Sequence, residues 1–90
     1  MSARAYVLLD VTGEKAEHVA QTLRSKPGVA IADLLEGPPD VVLMVEAPNR
    51  QKLAKLTVGA LASVESMTED IWLLPVPYKA TVSIKKAFVT

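Results

Sequence analysis

The chain has 90 residues, enough for one small domain whose own core hides only a modest share of the surface. Half of the residues are apolar, ten basic side chains balance ten acidic ones, and there is no cysteine. The balance argues against a broad electrostatic surface for nucleic acid or acidic lipid. The missing thiol excludes disulfides, thiolate metal sites and cysteine nucleophiles. So much apolar material in so short a chain points to an oligomer.

At the start, "MSARAYVLLDVTGE" has an apolar run too short for a membrane span and reaches Asp10 and Glu14 without a small-residue cleavage pattern. A soluble cytoplasmic protein is expected. From Ala5 to Val11, "AYVLLDV" is apolar at both parities, with Ala5, Val7, Leu9 and Val11 on one side and Tyr6 and Leu8 on the other. This is the pattern of a strand covered on both faces. Thr12 and Gly13 lead into "EKAEHVAQTLRSK", where Ala16, Val19, Ala20 and Leu23 recur at helical spacing. Glu14 and Glu17 in the first turn and Arg24 and Lys26 in the last suit the helix dipole, and Pro27-Gly28 stops the helix.

"VAIADLLEG", residues 29–37, reads as a second strand, and "DVVLMVEA", residues 40–47, as a third that is apolar on both faces through Val45. The turn between them carries Gly37, Pro38, Pro39 and Asp40. Asn49 is a good N-cap, and Leu53, Leu56, Thr57, Ala60, Leu61 and Val64 then form one helical stripe that tolerates Gly59 beside it. "MTEDIWLLPV" reads as a fourth strand ended by Pro75 and Pro77. The tail "ATVSIKKAFVT" alternates weakly, which suits a short fifth strand or an arm toward a partner. Its lysines, Lys79, Lys85 and Lys86, are read as solvated rather than as a nucleic-acid contact.

Strand, helix, strand, strand, helix, strand is the α+β ferredoxin-like order, βαββαβ, in which two right-handed crossovers place both helices on one face of an antiparallel sheet. The other face has no helix to cover it, yet its residues are also apolar. A second copy, packed sheet to sheet or edge to edge, is the economical cover.

The order and spacing of these pieces resemble the ligand-binding and oligomerisation domain of the Lrp/AsnC transcriptional regulators, over roughly residues 3–76. The resemblance rests on the aromatic-Val-Leu start at Tyr6, Val7 and Leu8, the helix ending "PGV" at residues 27–29, Gly37 and Asp40 flanking the hairpin turn, and the "VEA" that closes the third strand. It implies a domain at residues 1–76 followed by a C-terminal extension or arm at 77–90. It also implies a stand-alone version of the domain without the helix-turn-helix that reads DNA, binding an amino acid and forming dimers that assemble into rings, sometimes together with a full-length regulator. In that family the ligand lies between dimers, at the turn after the second strand and the region before the fourth. The corresponding residues are Gly37, Pro38, Pro39 and Asp40, with Thr68, Glu69 and Asp70 from the facing loop.

The chain departs from the family pattern at two places. Pro38 and Pro39 stand where the turn commonly has an aromatic, and neither has an N–H for a ligand carboxylate. Asp70 and Trp72 stand where a Thr-any-Thr pair is common. Asp40 is therefore read either as the receiver of an ammonium group or as a residue that stiffens the hairpin by bonding backbone. Trp72 is either an apolar wall for a ligand or the filling of a sheet face.

An enzyme is the second class considered. The single histidine, His18, falls off the apolar stripe of its helix, and no HExxH, Gly-rich phosphate loop or Ser-centred elbow is present. Asp33, Glu36 and Asp40 are near one another in sequence but lack a metal-ligand spacing. The expectation is a non-enzymatic binding and assembly module with no cofactor, no metal, no direct nucleic-acid contact and no membrane anchor. An assembly subunit without a small-molecule ligand is the alternative.

Overall fold

Along residues 2–76, the part of the chain that the computed structural model describes, two periodicities alternate. Strand β1 covers Ala3–Val11, helix α1 Ala16–Arg24, β2 Val29–Leu34, β3 Val41–Ala47, helix α2 Arg50–Ala62 and β4 Thr68–Val76, with a 3-10 turn at Glu65–Met67 before β4. This is the expected order. The fifth strand or arm expected from the tail lies outside the described residues. Among the described residues no helix is long and apolar enough to cross a membrane.

The sheet runs β2-β3-β1-β4, with every neighbouring pair antiparallel. That is the ferredoxin-like arrangement, and it puts β1 and β3 in the middle. Register sorts the side chains into two faces. Ala5, Val7 and Leu9 of β1 stand opposite Val45, Leu43 and Val41 of β3, and these six are buried in the core with α1 and α2. Tyr6 and Leu8 stand opposite Met44 and Val42 on the other face, where β4 adds Leu74 and Trp72 as their partners.

Helix α1 buries Val19, Ala20 and Leu23, with Glu17 in its first turn and Arg24 in its last. It is shorter than the segment 14–26 because Gly13, at φ 58°, still belongs to the turn and Lys15 caps the helix without a side-chain bond. Arg24 then reaches β2, its Nε donating to the Ala32 carbonyl at 2.7 Å. Helix α2 starts where expected, since Oδ1 of Asn49 accepts the Lys52 amide at 2.8 Å. Thr57 and Ala60 are its buried positions, while Leu53, Leu56 and Leu61 pack half-buried against the core. Fully buried Val and Leu side chains such as Val7, Leu9, Leu23 and Leu43 each contribute about 1.5–3 kcal/mol relative to exposure.

Strand β2 ends at Leu34 rather than at Gly37. Beyond it the Leu35 amide donates to the Asp40 carbonyl at 2.8 Å, closing the turn. Gly37 takes φ 75°, a left-handed value that glycine adopts without a Cβ penalty. The Pro38–Pro39 peptide bond is cis.

The described residues leave two apolar surfaces uncovered. One is the open sheet face, where Ile31 and Trp72 are 40% and 45% exposed. The other lies on the helix side of β4, because α2 packs over β1 and β3 more than over β4 and leaves Ile71 and Leu73 exposed.

Candidate functional site

The parity that gives β1 its open face ends in a carboxylate. Tyr6 and Leu8 are followed at the same spacing by Asp10, and Asp10 pairs across the sheet with Asp70 of β4. Like charges placed directly opposite on antiparallel strands repel. On the other side of β1 lies Asp40, one residue before β3. Its amide donates to the Leu9 carbonyl at 2.8 Å, and its Oδ2 accepts the Val11 amide at 2.9 Å. Three carboxylates thus gather around the C-terminal end of β1.

Asp10 bears the electrostatic consequence. Its Oδ1 is shielded from solvent and has no hydrogen-bond partner among the described residues, although the residue as a whole is only partly buried. Desolvation raises its pKa above the ordinary 3.8, and the charges of Asp40 and then Asp70 push it the same way. No Lys or Arg forms an ion pair with any of the three among the described residues. A site of this kind favours an incoming cation, and a primary ammonium offers three N–H donors to carboxylate oxygens. The described residues contain no group of three His, Cys, Asp or Glu arranged to hold a metal ion.

The residues expected from the sequence fall on both sides of Asp10. Gly37, Pro38 and Pro39 form the turn on the β3 side, with Gly37 and Pro38 exposed and Pro39 half-buried. Thr68, Glu69 and Asp70 form the start of β4 on the other. Only Asp40 and Asp70 of this set act on Asp10. The hydroxyl of Thr68 is engaged by the Val64 carbonyl at 2.8 Å, and Glu69 falls in the register shift that pairs Val11 with Thr68. The approach to β4 is held by Thr12, whose amide donates to the Met67 carbonyl at 2.9 Å. His18 is exposed on α1, and Asp33 is exposed with its Oδ1 3.3 Å from Arg24 Nη2.

Asp10 is the residue that sequence reading missed. The available signal was the break in the Tyr6, Leu8 parity by a charged residue inside the strand. Trp72 stands opposite Leu8 on the same face, one step along β4 from the acidic end. An apolar platform and a carboxylate group are therefore adjacent.

No family model and no curated protein matches the chain. Solved structures do. TTHA0845 from Thermus thermophilus is similar at 23% identity and TM-score 0.72, over 83% of this chain and 92% of that one. The transcriptional regulatory protein PF0864 from Pyrococcus furiosus, a member of the AsnC family, is similar at 20% identity and TM-score 0.60, over 82% of this chain and 49% of that one. The transcriptional regulator NMB0573 from Neisseria meningitidis, solved as a complex with L-Met, is similar at 18% identity and TM-score 0.64, over 83% of this chain and 49% of that one. The chain spans about half the length of these two regulators. The fold of this chain is therefore one that solved transcriptional regulators, among them the AsnC-family member PF0864, carry over about half of their length.

Proposed function

We propose that the chain is a small-molecule-binding and assembly module that pairs with a second copy through its open sheet face and takes an amino acid or related amine at the acidic end of that face. The observation that carries this reading is Asp10, set between Asp40 and Asp70, whose solvent-shielded Oδ1 lacks a partner among the described residues. An ammonium group there relieves both the desolvation and the mutual repulsion of the carboxylates. The apolar part of the ligand then lies toward Leu8 and Trp72. The L-Met complex of NMB0573, which has the same fold, supports an amino acid as the ligand class.

The turn refines the reading. Pro38 and Pro39 present no N–H, so recognition rests on the ammonium more than on the carboxylate. Gly37, Thr68 and Glu69 border the site in this reading. The mechanism is linkage: a ligand that binds the assembled state more tightly than the free protomer shifts the population by that difference in affinity. In this reading the module acts in the cytoplasm, as a homodimer or a ring of dimers or in a mixed assembly with a full-length regulator of the same fold, and it catalyses no reaction.

A second reading, an assembly subunit without a ligand, is favoured by one observation. Asp40 Oδ2 and the Thr68 hydroxyl, both in the expected ligand region, are engaged by the protein's own backbone.

Thermal unfolding with each of the twenty amino acids separates the two. A ligand at about one hundred times its Kd adds roughly 2.7 kcal/mol to native stability. The ligand reading expects one or a few amino acids to raise the midpoint of the wild type, their N-acetyl forms to fail, and Asp10→Asn to abolish the shift. No shift with any of the twenty selects the assembly subunit.

A further inference from the structure

The helix side of β4 carries a second surface, independent of the acidic end. Between α2 and the β1–β4 pair runs a groove of about 530 Å³, within the size range of small-molecule sites. Leu53, Val58 and Leu61 of α2 line one wall, and Ala5 and Leu73 line the other. Ala5 is buried and Leu53 and Leu61 are half-buried against the core, while Val58 at 67% and Leu73 at 52% exposed form the open rim. Among the described lining residues Thr57 carries the hydroxyl, and it donates to the Leu53 carbonyl at 2.7 Å.

The charges stand at one end. Arg4 and Arg50 are the ionisable residues of the described lining. Arg4 faces Glu46 across β1 and β3, Ala3 faces Ala47, and Arg50 follows three residues later at the start of α2. Arg50 therefore stands at the end of the groove nearest the start of β1, while the Arg4 side chain shares the parity of Tyr6 and Leu8 and pairs with Glu46 on the open face. Leu61 lies about 16 Å further along the helix axis. Arg4 is paired with Glu46 at 2.8 Å, but Arg50 forms no ion pair with a described residue. No acidic residue is part of the described lining. A long apolar trough with an unpaired guanidinium at one end is complementary to a molecule that is anionic at one end and apolar along its length.

We propose that this groove binds a monocarboxylate with an apolar tail, its carboxylate on Arg50 and its chain along Leu53, Val58, Leu61 and Leu73. The chemistry differs from that of the acidic end. A zwitterionic amino acid would set its ammonium group beside the Arg50 guanidinium, where like charges repel, so the groove favours a carboxylic acid without an adjacent amine. The guanidinium takes the carboxylate through two parallel N–H donors, which a neutral alcohol of the same length cannot match.

The test uses the full-length protein with decanoate as probe and decanol and decylamine as controls, followed by midpoint shifts in thermal unfolding and by methyl resonances in NMR. The inference expects decanoate to bind at least tenfold more tightly than decanol or decylamine, with the Leu53, Val58, Leu61 and Leu73 methyl signals moving together. Arg50→Gln, an exposed substitution that leaves the fold intact, should bring decanoate down to the affinity of decanol. Equal binding of decanoate and decanol overturns the inference, as does decanoate affinity that survives Arg50→Gln. Methyl shifts confined to Leu8, Val42 and Met44 also overturn it, because they place the probe on the open sheet face.

Discussion

The Oδ2 oxygen of Asp40 accepts the Val11 amide at 2.9 Å, joining residues 29 positions apart at the end of β1. The register of β1 against β4 shifts between Asp10 and Val11, so this end of the central strand is held partly by a side chain rather than by the ladder alone. Removing the acceptor with Asp40→Ala is expected to lower unfolding free energy by about 1–3 kcal/mol, the range for a donor left without its partner. Asp40→Asn keeps an acceptor oxygen and should lose less. Urea unfolding midpoints of the two variants, compared at neutral pH, check the ordering.

Gly28 is a position where the backbone and the packing make the same demand. It takes φ 82°, and a Cβ there would stand 2.6 Å from Cδ1 of Leu56 and 3.2 Å from the Glu46 carbonyl oxygen. The left-handed conformation costs a non-glycine residue about 1–2 kcal/mol, and the overlap with α2 adds to it. Gly28→Ala is expected to destabilise by roughly 2–4 kcal/mol when both effects act. Trimming the obstacle with Leu56→Ala in the same chain should recover part of that loss, a coupling that a double-mutant cycle measures.

Periodicity made the fold legible because each element carries its own stripe. Val19, Ala20 and Leu23 at helical spacing, and the two apolar parities of β1 and β3, required α1 over a sheet apolar on both faces. The boundaries were less legible where tertiary contacts set them. Strand β2 stops at Leu34 because Leu35 turns to bond Asp40, a contact across the loop that no local pattern encodes. The site was legible in part for the same reason. Asp40 and Asp70 stood in the segments that the resemblance selects, but the residue between them, Asp10, acquires its character only when β3 and β4 close on either side of β1. The groove beneath α2 was not legible at all. It depends on where α2 sits over the sheet, and the stripe from Leu53 to Val64 fixes the buried side of the helix but not its offset from β4.

Trp72 tests the open face. In the isolated protomer it is 45% exposed opposite Leu8, so a charge at this position has little to disturb within one chain. Within a sheet-to-sheet dimer the same charge is buried without a partner and opposes association. Trp72→Glu is expected to give a folded monomer of about the 9.7 kDa chain mass, while the wild type sediments as a dimer or larger. Its thermal midpoint should then stop depending on protein concentration. A variant that retains the wild-type mass places the interface elsewhere on the chain.

Asp10 gives the pH dependence its sign. Its folded pKa lies above the ordinary 3.8, through desolvation first and the charges of Asp40 and Asp70 after it. As pH rises from 3.8 through the raised value, the unfolded chain releases this proton before the native one does. The native state holds more protons in that window, so the contribution of Asp10 to stability falls with rising pH and remains unfavourable at neutral pH. Asp10→Asn removes the titration, and it is expected to be more stable than wild type at neutral pH and to lack this fall. Asp70→Asn should flatten the fall by less, since the larger cause is desolvation, which acts on Asp10 whether or not its neighbour is charged. Unfolding free energies from urea titrations, taken from acid to neutral pH for the three proteins, give the slopes. The ligand follows the same sign in reverse: an ammonium bound at Asp10 favours its charged form, so amine binding should strengthen as pH rises through the window. An amine whose affinity is flat across that window is bound somewhere other than Asp10.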